Sequence, residues 1–262
     1  METETGGSTV LVEDRGTTRL ITLNRPAKRN AIDLTLRVEL ADALEAAMSA
    51  ESVRVVVLTG AGKAFCSGGD ISTMDRQSPE KTVIRAQAAQ RVIRAIWGGP
   101  KPVLAAVEGF AFGAGVSLAM ACDRVVASGE AVLSTAFTGV GLAGDMGIFH
   151  SLPTRVGPAV ARQLMLMPKR LSGAEALRLG MVDEMVPVGT ALKRALADAD
   201  QIATVPPLAL REMKWIWGRG VVAPMDLLDL EVEAQARLFD TEDFAEGVEA
   251  FAVKREPVFR GR

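Results

Sequence analysis

Alternating strand and helix signals, followed by a long all-helical tail, predict an α/β fold with largely parallel strand pairing. Two observations give the prediction its shape. Apolar runs at Val53–Thr59 and Pro102–Val107 read as buried strands, and each leads directly into a glycine-rich turn. Strand signals then stop near residue 200, which predicts a core over residues 9–200 and a helical C-terminal subdomain over 201–262. Ligands of such folds sit at the carboxyl ends of strands, so two glycine turns at two such ends can face one site.

The elements follow in order. Residues 1–8 are expected to form a disordered tail. Val10–Glu13 and Thr18–Leu23 read as a hairpin turning at Asp14-Arg15-Gly16. A polar loop over 24–30 carries three cations, Arg25, Lys28 and Arg29. Asp33 is placed to cap a helix to about Ala50, with Leu36, Leu40, Ala43, Leu44 and Ala47 near helical spacing. The strand at Val53–Thr59 opens into the first glycine turn, 60–70. A polar stretch from Ser72 to Glu80 and a helix over about Pro79–Trp97 come next. The second strand ends in Gly109, Gly113 and Gly115, and an apolar helix begins near Gly113. A short strand follows at Arg124–Ser128. Helices are expected over Ala159–Met167, over Gly173–Leu179 with Ser172 as cap, and over Thr190–Ala203. The tail adds Leu208–Trp217, Met225–Phe239 and Thr241–Lys254.

Composition narrows the function classes. The chain has 262 residues, a formal net charge of −2, one histidine and two cysteines. Scattered lysine and arginine leave no basic face for nucleic acid or an anionic membrane. Two cysteines cannot staple a disulfide scaffold, and without CxxC or HExxH spacing no protein metal site is expected. The first ten residues show no signal-peptide pattern and no apolar run is long enough to span a bilayer, so a cytoplasmic protein is the expectation.

The stretch Ala105–Asp123 (AAVEGFAFGAGVSLAMACD) concentrates the chemistry. A strand that runs through glycines into a helix brings backbone N–H groups and a positive helix end close to negative charge. Tight strand–helix packing is the competing explanation of the same glycines. Elsewhere, Asp70 reads as an anchor for its turn and Glu108 as a solvated or loop-fixing residue. His150, Cys66 and Cys122 read as structural, and Met213, Trp215 and Trp217 as core or interface.

Five segments carry a family resemblance: LNRPAKRNAID (23–33), VVLTGAGKAFCSGGDI (56–71), KPVLAAVEGFAFGAGVSLAMACD (101–123), GVGLAGDMGIFHSLPTRVG (139–157) and LSGAEALRLGMVDEMVP (171–187). In order and spacing they resemble the enoyl-CoA hydratase/isomerase, or crotonase, superfamily. The resemblance implies a spiral of ββα units with an α-helical C-terminal trimerisation region, assembled as a homotrimer or as a hexamer built from two trimers. It implies an acyl-CoA thioester as substrate, with coenzyme A entering as part of the substrate and no permanently bound cofactor. The shared device would be an oxyanion hole of two backbone N–H groups, here Gly69 and Ala114. Alanine at 114 is compatible with that role unless the position demands φ > 0.

The acid–base positions depart from the family's hydratases. Their two glutamates match Ser117 and Phe137, so both carboxylates are missing. Serine without an activating partner is a poor base, and phenylalanine transfers no proton. Asp145 matches the aspartate of dienoyl-CoA isomerases and related isomerases and dehalogenases. One carboxylate can carry a proton from one carbon to another, so double-bond isomerisation through Asp145 is favoured, with helix capping as the alternative role for this residue. A hydratase with a non-standard water site and a CoA-thioester-binding protein with little catalysis are the other readings. For the nucleotide, the resemblance points to Arg25 and Lys28, and to Lys254 reaching a neighbouring subunit.

Overall fold

A computed structural model describes residues 7–262. The tail expected over 1–8 falls outside the described residues as far as residue 6; Ser8 is held by hydrogen bonds to the Val10 carbonyl (2.6 Å) and Glu39 (3.0 Å).

Among the described residues nine strands run in chain order: β1 (Val10–Arg15), β2 (Thr18–Leu23), β3 (Val55–Gly60), β4 (Val103–Val107), β5 (Phe110–Phe112), β6 (Arg124–Ser128), β7 (Val132–Ser134), β8 (Leu171–Ser172) and β9 (Glu184–Val186). The first helices are α1 (Leu34–Ser49), α2 (Pro79–Gly98), α3 (Ala114–Ala121), α4 (Ile148–Val156) and α5 (Pro158–Leu166). The remainder are α6 (Gly173–Leu179), α7 (Ala191–Ile202), α8 (Pro207–Trp217), α9 (Pro224–Leu238) and α10 (Glu242–Val253).

The main sheet has the order β1-β2-β3-β4-β6-β9 and is parallel except for the β1–β2 hairpin. A smaller sheet, β5-β7-β8, stands beside it. Side chains alternate across a strand, so each central strand of the main sheet feeds two cores. Ile21, Leu23, Val56, Leu58, Ala105 and Val125 face α1, α2 and α3. Leu20, Val55, Val57, Leu104, Ala106 and Val126 face Ala191, Ala195 and Ala199 of α7. Burial on both faces explains why β3 and β4 read as continuous apolar runs rather than alternating ones.

The expected elements are found with small shifts at their ends. Asp33 caps α1 by accepting from the Leu36 N–H (2.8 Å), and Ser172 and Glu175 form a full capping box on α6. Strands β5, β7, β8 and β9 are absent from the sequence reading. At two or three residues each they are too short to display a period.

Helix α8 is tied to the core by charge. Lys214 is buried, and its Nζ donates to the Ile96 carbonyl (2.9 Å) and to Asp123 (2.7 Å). Trp215 lies between the guanidinium groups of Arg219 and Arg237, 4.6 and 4.5 Å from its ring centre. Replacing Lys214 with Met leaves the partly buried Asp123 without its cation. The expected loss is about 2–4 kcal/mol of stability, read from urea unfolding. Beyond α8, the helices α9 and α10 expose Met225, Leu228, Val232, Phe239, Val248 and Phe251.

Candidate active site

The site is built where the two glycine turns meet. Segment 66–70 is threaded between two single-residue bridges. On one side Ile32 pairs with Gly69: the Ile32 N–H donates to the Gly68 carbonyl (2.7 Å) and the Asp70 N–H to the Ile32 carbonyl (3.0 Å). On the other side Cys66 pairs with Ala111, through Cys66 N–H to Phe110 O (2.9 Å) and Phe112 N–H to Cys66 O (3.0 Å). Because Ile32 bonds to the residues on either side of Gly69, the Gly69 N–H points away from that bridge. The Gly69 N–H has no acceptor among the described residues.

The second bridge docks β5, and with it the start of α3, against the same segment. A Cβ placed on Gly115 would collide with the carbonyl and Cβ of Cys66, so only glycine permits this approach. A Cβ on Gly68 would lie 2.8 Å from Phe112 O and 3.7 Å from the Ala114 nitrogen. Gly113 takes the left-handed backbone (φ 52°), and Ala114 is the first residue of α3. The backbone freedom is therefore supplied by Gly113, and alanine sits at 114 without strain. As a first-turn residue Ala114 has no helical acceptor for its N–H, and no other described acceptor meets it. Two unspent N–H donors thus lie on segments packed against each other, one of them at a helix N-terminus.

The side chains around the cleft divide into those that face it and those already occupied. Phe137 is buried, and a Cβ on Gly113 would lie 3.8 Å from its ring, which places the phenyl group against the donor turn. Ser117 is fully buried and donates to the Gly113 carbonyl one turn back (3.3 Å). No base adjoins its hydroxyl among its described hydrogen bonds, so it has no activated oxygen to offer. Arg25, expected at the ligand, instead braces the turn. Its guanidinium contacts Asp70 (2.9 Å), Asp33 (3.2 Å) and the Ala31 carbonyl (2.6 Å). This holds the Asp70 carboxyl below the ordinary range, behind the larger effect of the Ser72 hydroxyl. Lys28 is exposed on the same loop beside Arg29. Lys254 ends α10 in the left-handed region, exposed, with no described hydrogen bond or ion pair to the cleft.

Asp145 stands apart. Helix α4 is capped by Gly147 with no side-chain bond, which removes the capping role. The loop that presents it is held in unusual backbone: Gly144, Met146 and Gly147 have φ of 131°, 50° and 76°. A Cβ on Gly144 would lie 2.9 Å from Ile148, and one on Gly147 would press into the ring of Trp97. The two glycines adopt these angles freely, and the strain in the loop is that of Met146, a non-glycine residue at φ 50°. The carboxylate keeps access to solvent, yet dense surrounding protein raises its pKa, against the opposing charges of Arg37 and Arg85. It makes no hydrogen bond or ion pair among the described residues.

Other candidates fall into structural roles. Cys66 and Cys122 are fully enclosed, and burial pushes both thiols up to about 12. His150 packs edge-on to Trp97 at 5.0 Å. Glu108 accepts from the N–H groups of Gly189 and Ala191, anchoring the start of α7.

Two residues bear on the site without having been marked in the sequence. Asn30 is buried in left-handed backbone (φ 56°) and locks the 24–30 loop to the first glycine turn. It accepts from Arg25 N–H (2.9 Å) and donates to Ala61 O (2.9 Å) and Ala64 O (2.7 Å). Asn30→Ala loses all three bonds and the residue's tolerance of that backbone, with an expected cost of about 2–4 kcal/mol in denaturant unfolding. Arg37 is buried on α1; its signal was a cation four residues after Asp33 and three before Leu40, on the helix's apolar stripe.

Comparison with known proteins accords with this geometry. The enoyl-CoA hydratase/isomerase family model matches residues 13–262. The chain belongs to this family. A Rhodobacter capsulatus protein named "probable enoyl-CoA hydratase" is 38% identical over 93% of this chain and 94% of its own. The crotonyl-CoA hydratase of Syntrophomonas wolfei is 32% identical, covering 95% and 97%. The crystal structure of an enoyl-CoA hydratase from Bacillus anthracis superposes with a TM-score of 0.92 at 31% identity, over 97% of this chain and all of that one. The family's crotonase fold therefore accounts for the sheet order and for the meeting of the two glycine turns.

Proposed function

We propose that this member of the family migrates the double bond of an enoyl thioester of coenzyme A. Asp145 carries the reading: it is a carboxylate with a raised pKa and no described partner, and the proposal sets it opposite the two unspent N–H donors. In the proposed reaction Asp145 removes a proton from a carbon conjugated with the thioester carbonyl. The C–H electron pair moves into the π system, and negative charge collects on the thioester oxygen. The Gly69 and Ala114 N–H groups stabilise that charge where it develops. The proton then returns from Asp145 to the other end of the allylic system, so that no water is consumed. A pKa raised from its ordinary value by burial suits a group that must both accept and release a proton.

Hydration is the second reading, favoured by the names of the relatives above. It would need Asp145 to activate water without a second carboxylate at 117 or 137. The exposed Lys28 is the proposed contact for the nucleotide. A trimer, or a hexamer made of two trimers, is proposed on the apolar residues exposed by α9 and α10, with Lys254 reaching a neighbouring subunit's nucleotide. Assay of trans-2-, cis-3- and dienoyl-CoA esters in deuterated water tests the reaction. Migration of the double bond, with the substrate's own hydrogen carried between the two termini and deuterium entering only by exchange on the Asp145 carboxyl, is the expected outcome. Accumulation of a 3-hydroxyacyl ester with no migration overturns it in favour of hydration. Turnover of none of the esters, despite binding, leaves a thioester-binding protein.

A further inference from the structure

Two neighbouring arginines have no role in the proposed reaction, one buried and one half-buried. Arg37, on α1, is 3% exposed, and its Nη1 donates to the Arg85 carbonyl (2.8 Å) on α2. Its Nε is buried and meets no acceptor. The Nη2 of Arg85 is likewise buried without a partner. Neither guanidinium forms an ion pair among the described residues. Each is close enough to Asp145 to act on its charge. Arg37 also feels the like charge of Arg85, which together with burial weakens its hold on its proton.

Such a pair is costly to keep. Buried donors without acceptors forfeit their hydration, and two guanidinium groups side by side repel. Asp145 acts on both charges, and Asp33, which also acts on Arg37, is already paired with Arg25. What the pair lacks is an acceptor for its buried N–H groups, which an anion would supply, and guanidinium groups are suited to planar, bidentate binding of a carboxylate. The position of the pair says where that anion comes from. Arg37 lies one helical turn along α1 from Asp33. The preceding residue, Ile32, bridges to Gly69. Arg37 therefore follows closely on the segment that bridges to the donor turn, and both arginines act on Asp145, whereas the exposed cations Lys28 and Arg29 lie on the 24–30 loop.

We infer that Arg37 and Arg85 form a subsite for a carboxylate carried by the acyl group, so that the preferred substrates are ω-carboxyacyl thioesters of coenzyme A. This rests on the thioester reading and specifies its substrate class. A carboxylate seated there supplies the missing acceptors and fixes the acyl chain alongside Asp145.

Saturated esters test the subsite without turnover. Calorimetric titration compares adipyl-CoA with hexanoyl-CoA, the half-amide of adipyl-CoA and free coenzyme A, with succinyl- and glutaryl-CoA to scan length. At least one dicarboxylic ester is expected to bind ten-fold or more tightly than its uncharged counterpart. Arg85→Gln is expected to shrink that ratio at least five-fold, and Arg37→Lys, which keeps the charge but loses the fork, to shrink it less. Equal binding of charged and uncharged esters by the unmodified protein overturns the subsite while leaving the thioester reading intact. So does an Arg85→Gln effect of equal size on free coenzyme A, which would assign the arginines to phosphate. Failure of every ester to bind overturns the thioester reading itself.

Discussion

Asp145→Asn is expected to lower kcat/KM for double-bond migration by about 10²–10⁴-fold, the usual contribution of a positioned proton-transfer group. Asparagine preserves the shape and the strained 144–147 backbone but cannot accept a proton. Stability should move the other way. The folded pKa of Asp145 is raised above its ordinary 3.8, chiefly by desolvation. Between the unfolded and folded values the native state binds more protons than the unfolded chain, so stability falls as pH rises through that window. At pH 7 the full cost is present, and Asn removes it. The variant should therefore melt at or above the parent's temperature at pH 7, with the difference vanishing in acid below both pKa values. The parent's kcat/KM should rise with pH along a limb set above 3.8, because the base must begin deprotonated, and the variant should lack that limb. Unchanged isomerisation in Asp145→Asn would remove the residue from the mechanism. A large fall in melting temperature would show that its role is structural.

This opposition between activity and stability marks what the sequence could and could not disclose. β-Branched runs placed β2, β3, β4 and β6 because burial on both faces leaves a local imprint. Asp33 and Ser172 announced their helices because a cap acts on residues only three positions away. The glycines of the two turns were visible, but their reason was not. Gly115 is required by the backbone of Cys66, nearly fifty residues earlier in the chain. Arg25 misled for the same reason: a cation in a polar loop reads as free, and its commitment to Asp33 and Asp70 appears only once the loop is folded against the turn. Arg37 was overlooked because a charged residue on an apolar stripe looks like a boundary until its surroundings show that it is buried. Asp145 was located by motif, yet its lack of partners and its raised pKa are tertiary facts.

The second large effect isolates a single hydrogen-bond donor. Ala114→Pro is expected to reduce kcat by about 10²–10³-fold, or about 3–4 kcal/mol of transition-state stabilisation, with a small change in stability. The reason lies in the position. Ala114 is the first residue of α3, where proline's fixed φ suits the helix and the lost N–H serves no helical bond. The residue before it, Gly113, has φ 52° and ψ −118°, an extended left-handed conformation open to glycine and free of the α-region clash that proline imposes on its predecessor. The substitution therefore deletes the Ala114 N–H without cost to the helix, and proline's Cδ takes the place of the hydrogen, so the position is both stripped of its donor and filled. Ala114→Gly is the matched control: it keeps the donor, and its kcat should stay within a few-fold of the parent's. If the thioester oxygen takes up charge between Gly69 and Ala114, proline at 114 should leave binding of a saturated acyl-CoA ester within ten-fold while turnover collapses. Equal losses in binding and turnover would mean that the donor holds the ground state as firmly as the enolate. A proline variant as active as the glycine control would remove Ala114 from the oxyanion hole.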